Sequence, residues 1–424
     1  MVASSTSAIT SAPPSALKVL LIEDNLGDAR LIREMLAGAR AAFQLQTVDR
    51  LGRGLERLAA GDIGVVLLDL SLPDSQGIET FNMVRLHAPK VPILVMSGLD
   101  DETVAVRAVQ AGAQDYLVKG HVDTHLLLRA IRYAIERSRT AQQLSHYADE
   151  LRRQNTQLQS DLNLAHEIQQ VFLPHEYPSF PRAATPAESA LHFCHCYQST
   201  AALGGDFFNV VPVSETDAGI FICDVMGHGI RAALVTAIIR GLMEEMMPLA
   251  ADAGRYLTAM NHGLRAIFMH TEQPVMATAF YLVTDLRRGD LHFASAGHPS
   301  PLRACRKTGL VEPLRQYDPR HGAALGLFDE STYPTCVCPV TANDLVILYT
   351  DGLYEVIRAN NQEYGQERLL NAVRQRIALP PERMFDELLD EIREFSGNAE
   401  FEDDICLVGM EVTKRLSELS CAAA

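Results

Sequence analysis

Apolar and polar positions divide the first third of the chain into short apolar runs that end in chemistry-bearing residues. Leu17–Ile22 (LKVLLI) runs into Glu23, Asp24 and Asn25, and residues 64–70 (GVVLLDL) carry Asp69 before the turn residues Pro73 and Asp74. Residues 92–96 (PILVM) lead into Ser97, and Asp115–Val118 (DYLV) into Lys119. Between the first two runs, ARLIREMLAGA has the spacing of an amphipathic helix. Near-continuous apolar strands separated by helical segments predict a parallel sheet covered on both faces. Ligands of such sheets bind at the carboxyl ends of the strands.

From residue 139 the pattern changes to RTAQQLSHYADELRRQNTQLQSDLNLAHEIQQVFLP, which contains no Gly and no Pro before Pro174. Leu144, Leu151, Leu158 and Ala165 recur every seven residues, with Ala148, Asn155 and Leu162 at the intervening seam positions. A heptad seam suits a helix paired with a copy of itself, and a lone Asn in the seam favours one register in a parallel dimer. The same pattern also suits an amphipathic helix packed on its own chain, but polar residues at most other positions favour a homodimer through 139–174.

Beyond Pro174 a Pro- and Ala-rich connection leads into β-prone runs at 191–197, 207–213, 218–223, 278–284, 291–295 and 345–349. Helical blocks are expected at 229–247 and 381–395. Strands in series with grouped helices predict an α+β domain with antiparallel sheets. The boundaries expected are a leader at 1–16, an α/β domain at 17–138, a helical linker at 139–174, an α+β domain at 186–413 and a tail at 414–424.

Composition narrows the function classes. Of 424 residues, 53 are acidic and 37 basic, a net charge of -16 with no Lys/Arg-rich run, which argues against a DNA-binding protein. No apolar stretch is long enough for a membrane span, and the N-terminus lacks the pattern of an export signal. Eight scattered cysteines with no C-x-x-C spacing point to a reduced, cytoplasmic protein.

The candidate chemistry is acidic in both halves. Glu23, Asp24 and Asp69 would converge at one sheet edge, where their mutual repulsion calls for a hard cation such as magnesium. Lys119 and the Ser97 hydroxyl would hold a phosphoryl group on one carboxylate. In the second half, Asp206 follows Gly204-Gly205, Asp224 closes an apolar strand before VMGHG, Asp351 closes LVILYT, and Asp403-Asp404 precede ICLVGM. Such carboxylates, each beside a strand and a tight turn, make an oxygen-rich site for Mg or Mn. Two ions about 4 Å apart can lower the pKa of a bridging water and clamp a phosphoryl group. Strand alternation puts His192, Cys194 and Cys196 on one face and His195 on the other, so they are read as packing residues rather than a soft-metal site.

The first half resembles two-component response-regulator receiver domains, with their flavodoxin-like α/β fold. The resemblance implies Asp69 as phosphoacceptor and Glu23, Asp24, Asp69 and the Ser71 carbonyl as Mg2+ ligands. It also implies Ser97 and Tyr116 as switch residues, Lys119 as the phosphate-pairing lysine, and a sensor histidine kinase or phosphotransfer protein as donor. Gly120 stands where the family usually has Pro, which puts its cis peptide in doubt.

The series ALGGDFFNV, CDVMGHG, ASAGHPSPL, YTDGLYE and FEDDICLV resembles metal-dependent (PPM) serine/threonine phosphatases of the SpoIIE/RsbU branch. That resemblance implies a β-sandwich with flanking helices. It implies two Mn2+ or Mg2+ held by Asp206, Asp224, Asp351, Asp403, the Val225 carbonyl and Asp404. The implied substrate is a phosphorylated anti-sigma-factor antagonist, and phosphorylation of Asp69 would control the phosphatase. Asn209 and Cys406 replace the usual Asp and Thr, and Met226 stands where many eukaryotic members have His. His228 and His298 are read as structural. A non-catalytic adaptor of RssB-like layout, delivering a sigma factor to a protease, is the alternative; the retained carboxylates favour catalysis.

Overall fold

The computed structural model describes residues 16–38, 43–98, 102–200, 202–271, 274–315, 322–398 and 401–414. The leader and tail expected at the two ends lie almost wholly outside the described residues. The chain forms two compact units, Met1–Thr156 and Gln157–Ala424.

Unit one is built from β1 (Leu17–Ile22), α1 (Leu26–Ala37), β2 (Phe43–Val48), α2 (Leu51–Leu58) and β3 (Val65–Asp69). After a two-residue ribbon, β4 (Ser71–Leu72) and β5 (Ser75–Gln76), come α3 (Ile78–His87), β6 (Ile93–Ser97), α4 (Glu102–Gln110) and β7 (Asp115–Val118). The helix α5 (Thr124–Phe172) starts in this unit, and the division between the units falls within it. The sheet has the order β2-β1-β3-β6-β7, all parallel. Because successive strand side chains point to opposite faces, β1 and β3 feed two cores. Leu20, Ile22, Val66 and Leu68 pack with Phe81 of α3 and Ala105 of α4. Val19, Leu21, Val65 and Leu67 pack with Ala29 of α1 and with Leu127 and Ile131 of α5.

Unit two has four layers. One sheet contains β15 (Cys336–Pro339), β12 (Asp290–Ala296), β11 (Ala277–Asp285), β10 (Ala218–Val225) and β9 (Asp206–Pro212), in that order. The other runs β14 (Leu310–Pro313), β13 (Leu302–Cys305), β16 (Asp344–Tyr349), β17 (Ile405–Val412) and β8 (Leu191–Gln198). All pairings are antiparallel. Helices α6 (Ile230–Glu245) and α7 (Ala253–Phe268) cover the first sheet, where Tyr256 of α7 stacks on Tyr281 with ring centroids 4.2 Å apart. Helices α8 (Gly365–Gln375) and α9 (Pro381–Ser396) cover the second, packing Leu369, Phe385 and Leu388 on Leu345, Ile347 and Leu407. Val346, Leu348 and Val408 point the other way, into the core shared with β9 and β10.

Several elements go beyond the apolar-run reading. β2 (FQLQTV), which among the described residues pairs with β1 alone, is only partly buried, so its sequence alternates instead of running apolar. α7 begins where Asp252 accepts hydrogen bonds from the Gly254 and Arg255 amides, an N-cap that the apolar-run reading did not pick up. The short strands β13, β14 and β15 have four residues each, too few for a pattern to stand out. Among the described residues no helix is long and apolar enough to cross a membrane.

Candidate functional sites

In unit one the parallel strands deliver their carboxyl ends to one edge, where Glu23, Asp24 and Asp69 bring oxygens within 4.8 Å of one another. Lys119 sits among the acids: its Nζ lies 2.8 Å from Asp69 Oδ2, 2.7 Å from Glu23 Oε2 and 3.3 Å from Asp28 Oδ2. Asp69 is 5% exposed, and its Oδ1 accepts the Ser71 amide at 3.1 Å. Burial raises Glu23 to about 7 despite its hydrogen bond to Lys119, and the Asp69 charge adds to the rise. For Lys119, burial opposes the charged form, but the hydrogen bonds to Asp69 and Glu23 outweigh it and the pKa rises.

Ser97 ends β6 beside these groups, 1% exposed, and its hydroxyl has no protein hydrogen-bond partner. An orphaned buried donor beside an acidic pocket suits a phosphoryl oxygen. The three acids, with Asp69 held by the Ser71 amide, fit a hard cation with oxygen ligands. Tyr116 is half-buried against the core that contains Val95 and Phe81. Gly120 adopts φ +84°, and the peptide before it is not cis. Asp28, one helical turn beyond Asp24, was not singled out from the sequence.

In unit two the register places Asp206 of β9 directly opposite Asp224 of β10, both on the face toward the second sheet. Asp351 follows β16 and Asp403 precedes β17, at the adjoining ends of that sheet. Burial raises Asp206 well above the usual carboxylate range, reinforced by Asp224, and raises Asp224 to about 7, reinforced by Asp351 and Asp403. Asp351 is raised too, by burial and then by Asp403. No three of these carboxylates come as close together as the acids of unit one. The backbone around them is cut close: a Cβ on Gly205 would lie 2.7 Å from the Val225 carbonyl oxygen, and one on Gly352 2.2 Å from that of Asp404. Mutually repelling oxygens in a narrow backbone cradle fit divalent cations held by Asp206, Asp224, Asp351, Asp403 and the Val225 carbonyl.

Asp404 takes a different part. Its Oδ1 accepts from the Thr200 amide (2.8 Å) and hydroxyl (3.2 Å), and its Oδ2 from the Gly205 amide (2.7 Å). With both oxygens on protein donors, it braces the loop before Asp206. Asn209 is three residues along β9 from Asp206, hence on the opposite face. There its side chain accepts the Val210 amide and borders a cleft of about 630 Å³ with Phe172 and Arg240. Cys406 is fully buried in the core. His228 is exposed in the turn before α6, between Gly227 and Gly229 at φ +91° and +82°. Cys194 packs in the core with α9, and His195 contacts Tyr177 and Phe208.

Three further contacts were not foreseen. The Thr350 hydroxyl donates to Asp206 Oδ2 at 2.6 Å. Gln169, in the last turn of α5, acts like a peptide group: its amide donates to the Gly204 carbonyl (2.8 Å) and its carbonyl accepts the Gly204 N–H (3.2 Å). One turn earlier His166 Nδ1 lies 2.8 Å from the Ala202 carbonyl, which can only accept, so that nitrogen donates. Their only sequence signal is adjacency, Thr350 to Asp351 and Gln169 to the end of the heptads.

This geometry gives a two-part protein: an acidic pocket with a lysine at the carboxyl edge of a parallel sheet, and a set of buried carboxylates at the edge of an α-β-β-α sandwich. Residues 19–132 match the family model "Response regulator receiver domain", and residues 214–413 match "Stage II sporulation protein E (SpoIIE)". The second match begins after β9, so the placement of Asp206 rests on the register with Asp224.

The phosphoserine phosphatase RsbP of Bacillus subtilis is 28% identical over 160 residues, 38% of this chain and 38% of that protein. Protein IcfG of Synechocystis sp. is 24% identical over 357 residues, 77% of this chain and 52% of that protein. The chain thus spans about half or less of the length of these curated relatives. The SiaA-PP2C domain of Pseudomonas aeruginosa shares the fold, with TM-score 0.51 and 21% identity over 61% of this chain and 98% of that one. The chain therefore carries a response regulator receiver domain and, after it, a SpoIIE-type phosphatase domain.

His298 yields a test of the second site's scaffold. It is 6% exposed, its Nδ1 is 2.8 Å from the hydroxyl of Thr278, the residue paired with Asp224, and its Nε2 has no partner. Burial pushes the imidazole down to about 3. The unfolded chain then binds one more proton than the folded one between about pH 6.5 and 3. Stability carried by neutral His298 is present above about pH 6.5 and is lost as pH falls through that window. The urea midpoint of wild type should fall more steeply from pH 6.5 to 4.5 than that of His298→Gln, by about one proton's worth of slope. Equal slopes would show that His298 is not buried as a neutral group.

Proposed function

We propose that this chain is a response regulator whose receiver controls a metal-dependent phosphoserine/phosphothreonine protein phosphatase. The observation that carries the reading is the complete carboxylate set, Asp206 facing Asp224 with Asp351 and Asp403 at the neighbouring strand ends. When bound, two Mn2+ or Mg2+ ions supply Lewis acidity and neutralise phosphoryl charge. The chain's own part is to hold four carboxylates and the Val225 carbonyl at fixed positions, with Asp404 bracing the loop that carries Asp206. The substrate class is a phosphorylated anti-sigma-factor antagonist, so the output is the availability of a sigma factor. The name of RsbP, a phosphoserine phosphatase, supports phosphoserine as the group hydrolysed. A purely binding adaptor has no need of buried, mutually repelling acids.

In the receiver, Asp69 accepts the phosphoryl group from a sensor histidine kinase or phosphotransfer protein, with Mg2+ on Glu23, Asp24, Asp69 and the Ser71 carbonyl. Lys119 then pairs with the phosphoryl oxygens, and Ser97 and Tyr116 respond. The α5 helix carries the consequence, since it begins as the receiver's last helix and its final turn holds Gly204, two residues before Asp206. Its Leu144, Leu151 and Leu158 are 64%, 65% and 53% exposed at heptad spacing, which supports a seam for a second copy of the chain.

Mn2+-dependent phosphate release from a phosphoseryl antagonist protein should fall by at least 100-fold in Asp351→Asn. Asp69→Asn should retain basal release but lose both labelling by a small-molecule phosphodonor and any response to it. Full activity in Asp351→Asn would refute the enzyme reading, and continued labelling of Asp69→Asn would move the acceptor elsewhere. Replacing Leu151 and Leu158 together by Lys should convert a dimer to a monomer in light scattering and uncouple phosphodonor from phosphatase rate. A dimeric, still regulated variant would reduce the helix to a tether.

A further inference from the structure

We infer that Thr350 is a positioning residue for the cation site: it selects which oxygen of Asp206 faces a metal ion. The inference rests on the phosphatase reading above and adds a residue that the carboxylate set does not contain.

Thr350 directly precedes Asp351 and is fully buried. Its backbone N–H donates to the Cys406 carbonyl at 3.1 Å, which extends the β16–β17 ladder by one residue. Its hydroxyl has two partners. The Cys406 amide lies 2.9 Å away and is a donor, so it occupies a lone pair of the hydroxyl oxygen. The single hydroxyl proton is then left for Asp206 Oδ2, at 2.6 Å. The direction of this bond is thus set by the backbone of β17 and not by a free rotor.

The consequence falls on Asp206. Its Oδ2 is taken by a charge-assisted hydrogen bond, which fixes the carboxylate plane. Among the described residues its Oδ1 has no protein donor, so that is the oxygen left for a cation. The two sheets meet at this bond, since Asp206 belongs to β9 and Thr350 follows β16 of the opposite sheet. Among the described residues Asp224 has no comparable side-chain donor; its strand is paired on both sides, to β9 and β11. One threonine therefore locks the register of Asp206 against Asp351, its own chain neighbour. The family difference at Cys406 leaves this link intact, because Cys406 contributes only its backbone amide and carbonyl.

A merely structural threonine would hold the sheets together without affecting cations, and the test separates the two. Full-length wild type, Thr350→Ser and Thr350→Val are titrated with MnCl2 by calorimetry and by the Mn2+-induced rise in unfolding midpoint. The receiver's own Mn2+ uptake is common to all three proteins and cancels in the comparison. Loss of an outer partner of a ligand typically weakens metal binding 10- to 100-fold. Thr350→Val should show a loss of about that size at the phosphatase site, whereas Thr350→Ser stays within about threefold of wild type. Saturating Mn2+ should restore most of the phosphate-release rate of Thr350→Val.

Should Thr350→Val fail to fold, Thr350→Cys, with a weaker donor of similar size, should give an intermediate Mn2+ affinity. If the folded Val or Cys variant binds Mn2+ as tightly as wild type and only its metal-free stability drops, the inference is wrong while the phosphatase reading stands. If wild type itself binds no more Mn2+ than Asp351→Asn, both fall together.

Discussion

Two carboxylates facing each other across a pair of antiparallel strands are the constraint around which the second unit is built. Asp206 and Asp224 occupy opposed positions on β9 and β10, where like charges destabilise a sheet. Two unit charges about 5 Å apart at an effective dielectric constant of about 20 repel by about 3 kcal/mol. Burial adds to this, because Asp206 is 3% exposed. A fold that keeps such a pair needs a bound cation or a proton to relieve it, and among the described residues no Lys or Arg forms an ion pair with either. The surrounding features follow from that need: glycines that let carbonyls approach, Asp404 holding the loop amides, and Thr350 holding one carboxylate oxygen.

The receiver solves a similar problem differently. There three carboxylates share an internal cation, Lys119, bonded to Glu23, Asp28 and Asp69 at once. That lysine holds the acids near one another and, under the proposed function, is the group that would pair with a phosphoryl oxygen. Under the proposed function the two acidic sites differ in kind: one carries a protein cation and would accept a phosphoryl group, whereas the other would take its positive charge from solution.

Much of this was legible in the chain because strand ends announce themselves. Asp69, Asp224 and Asp351 each close or follow an apolar run, so the pattern that predicts the strand also locates the acid. Flanking glycines marked Asp206 and Asp351 as points of close backbone approach. What stayed hidden depends on register and pairing between distant segments. Nothing in EDD says that Asp404 turns its oxygens to Thr200 and Gly205 while its neighbour Asp403 does not. Gln169 and Thr350 look like ordinary helix and strand-end residues until the loop at 202–206 and the backbone of Cys406 are brought to them. The short edge strands and the partly buried β2 were missed for a simpler reason: elements that bury little need little apolar sequence.

The central claim is that the carboxylates of the second unit form a divalent cation site, separate from the receiver's. Anomalous diffraction from crystals of the full chain grown with Mn2+ tests it most directly. The account predicts manganese peaks between Asp206, Asp224, Asp351 and Asp403, with Asp206 contributing Oδ1, and a separate peak beside Asp69. Manganese at Asp69 alone, with the carboxylates of unit two bare at saturating Mn2+, would contradict it.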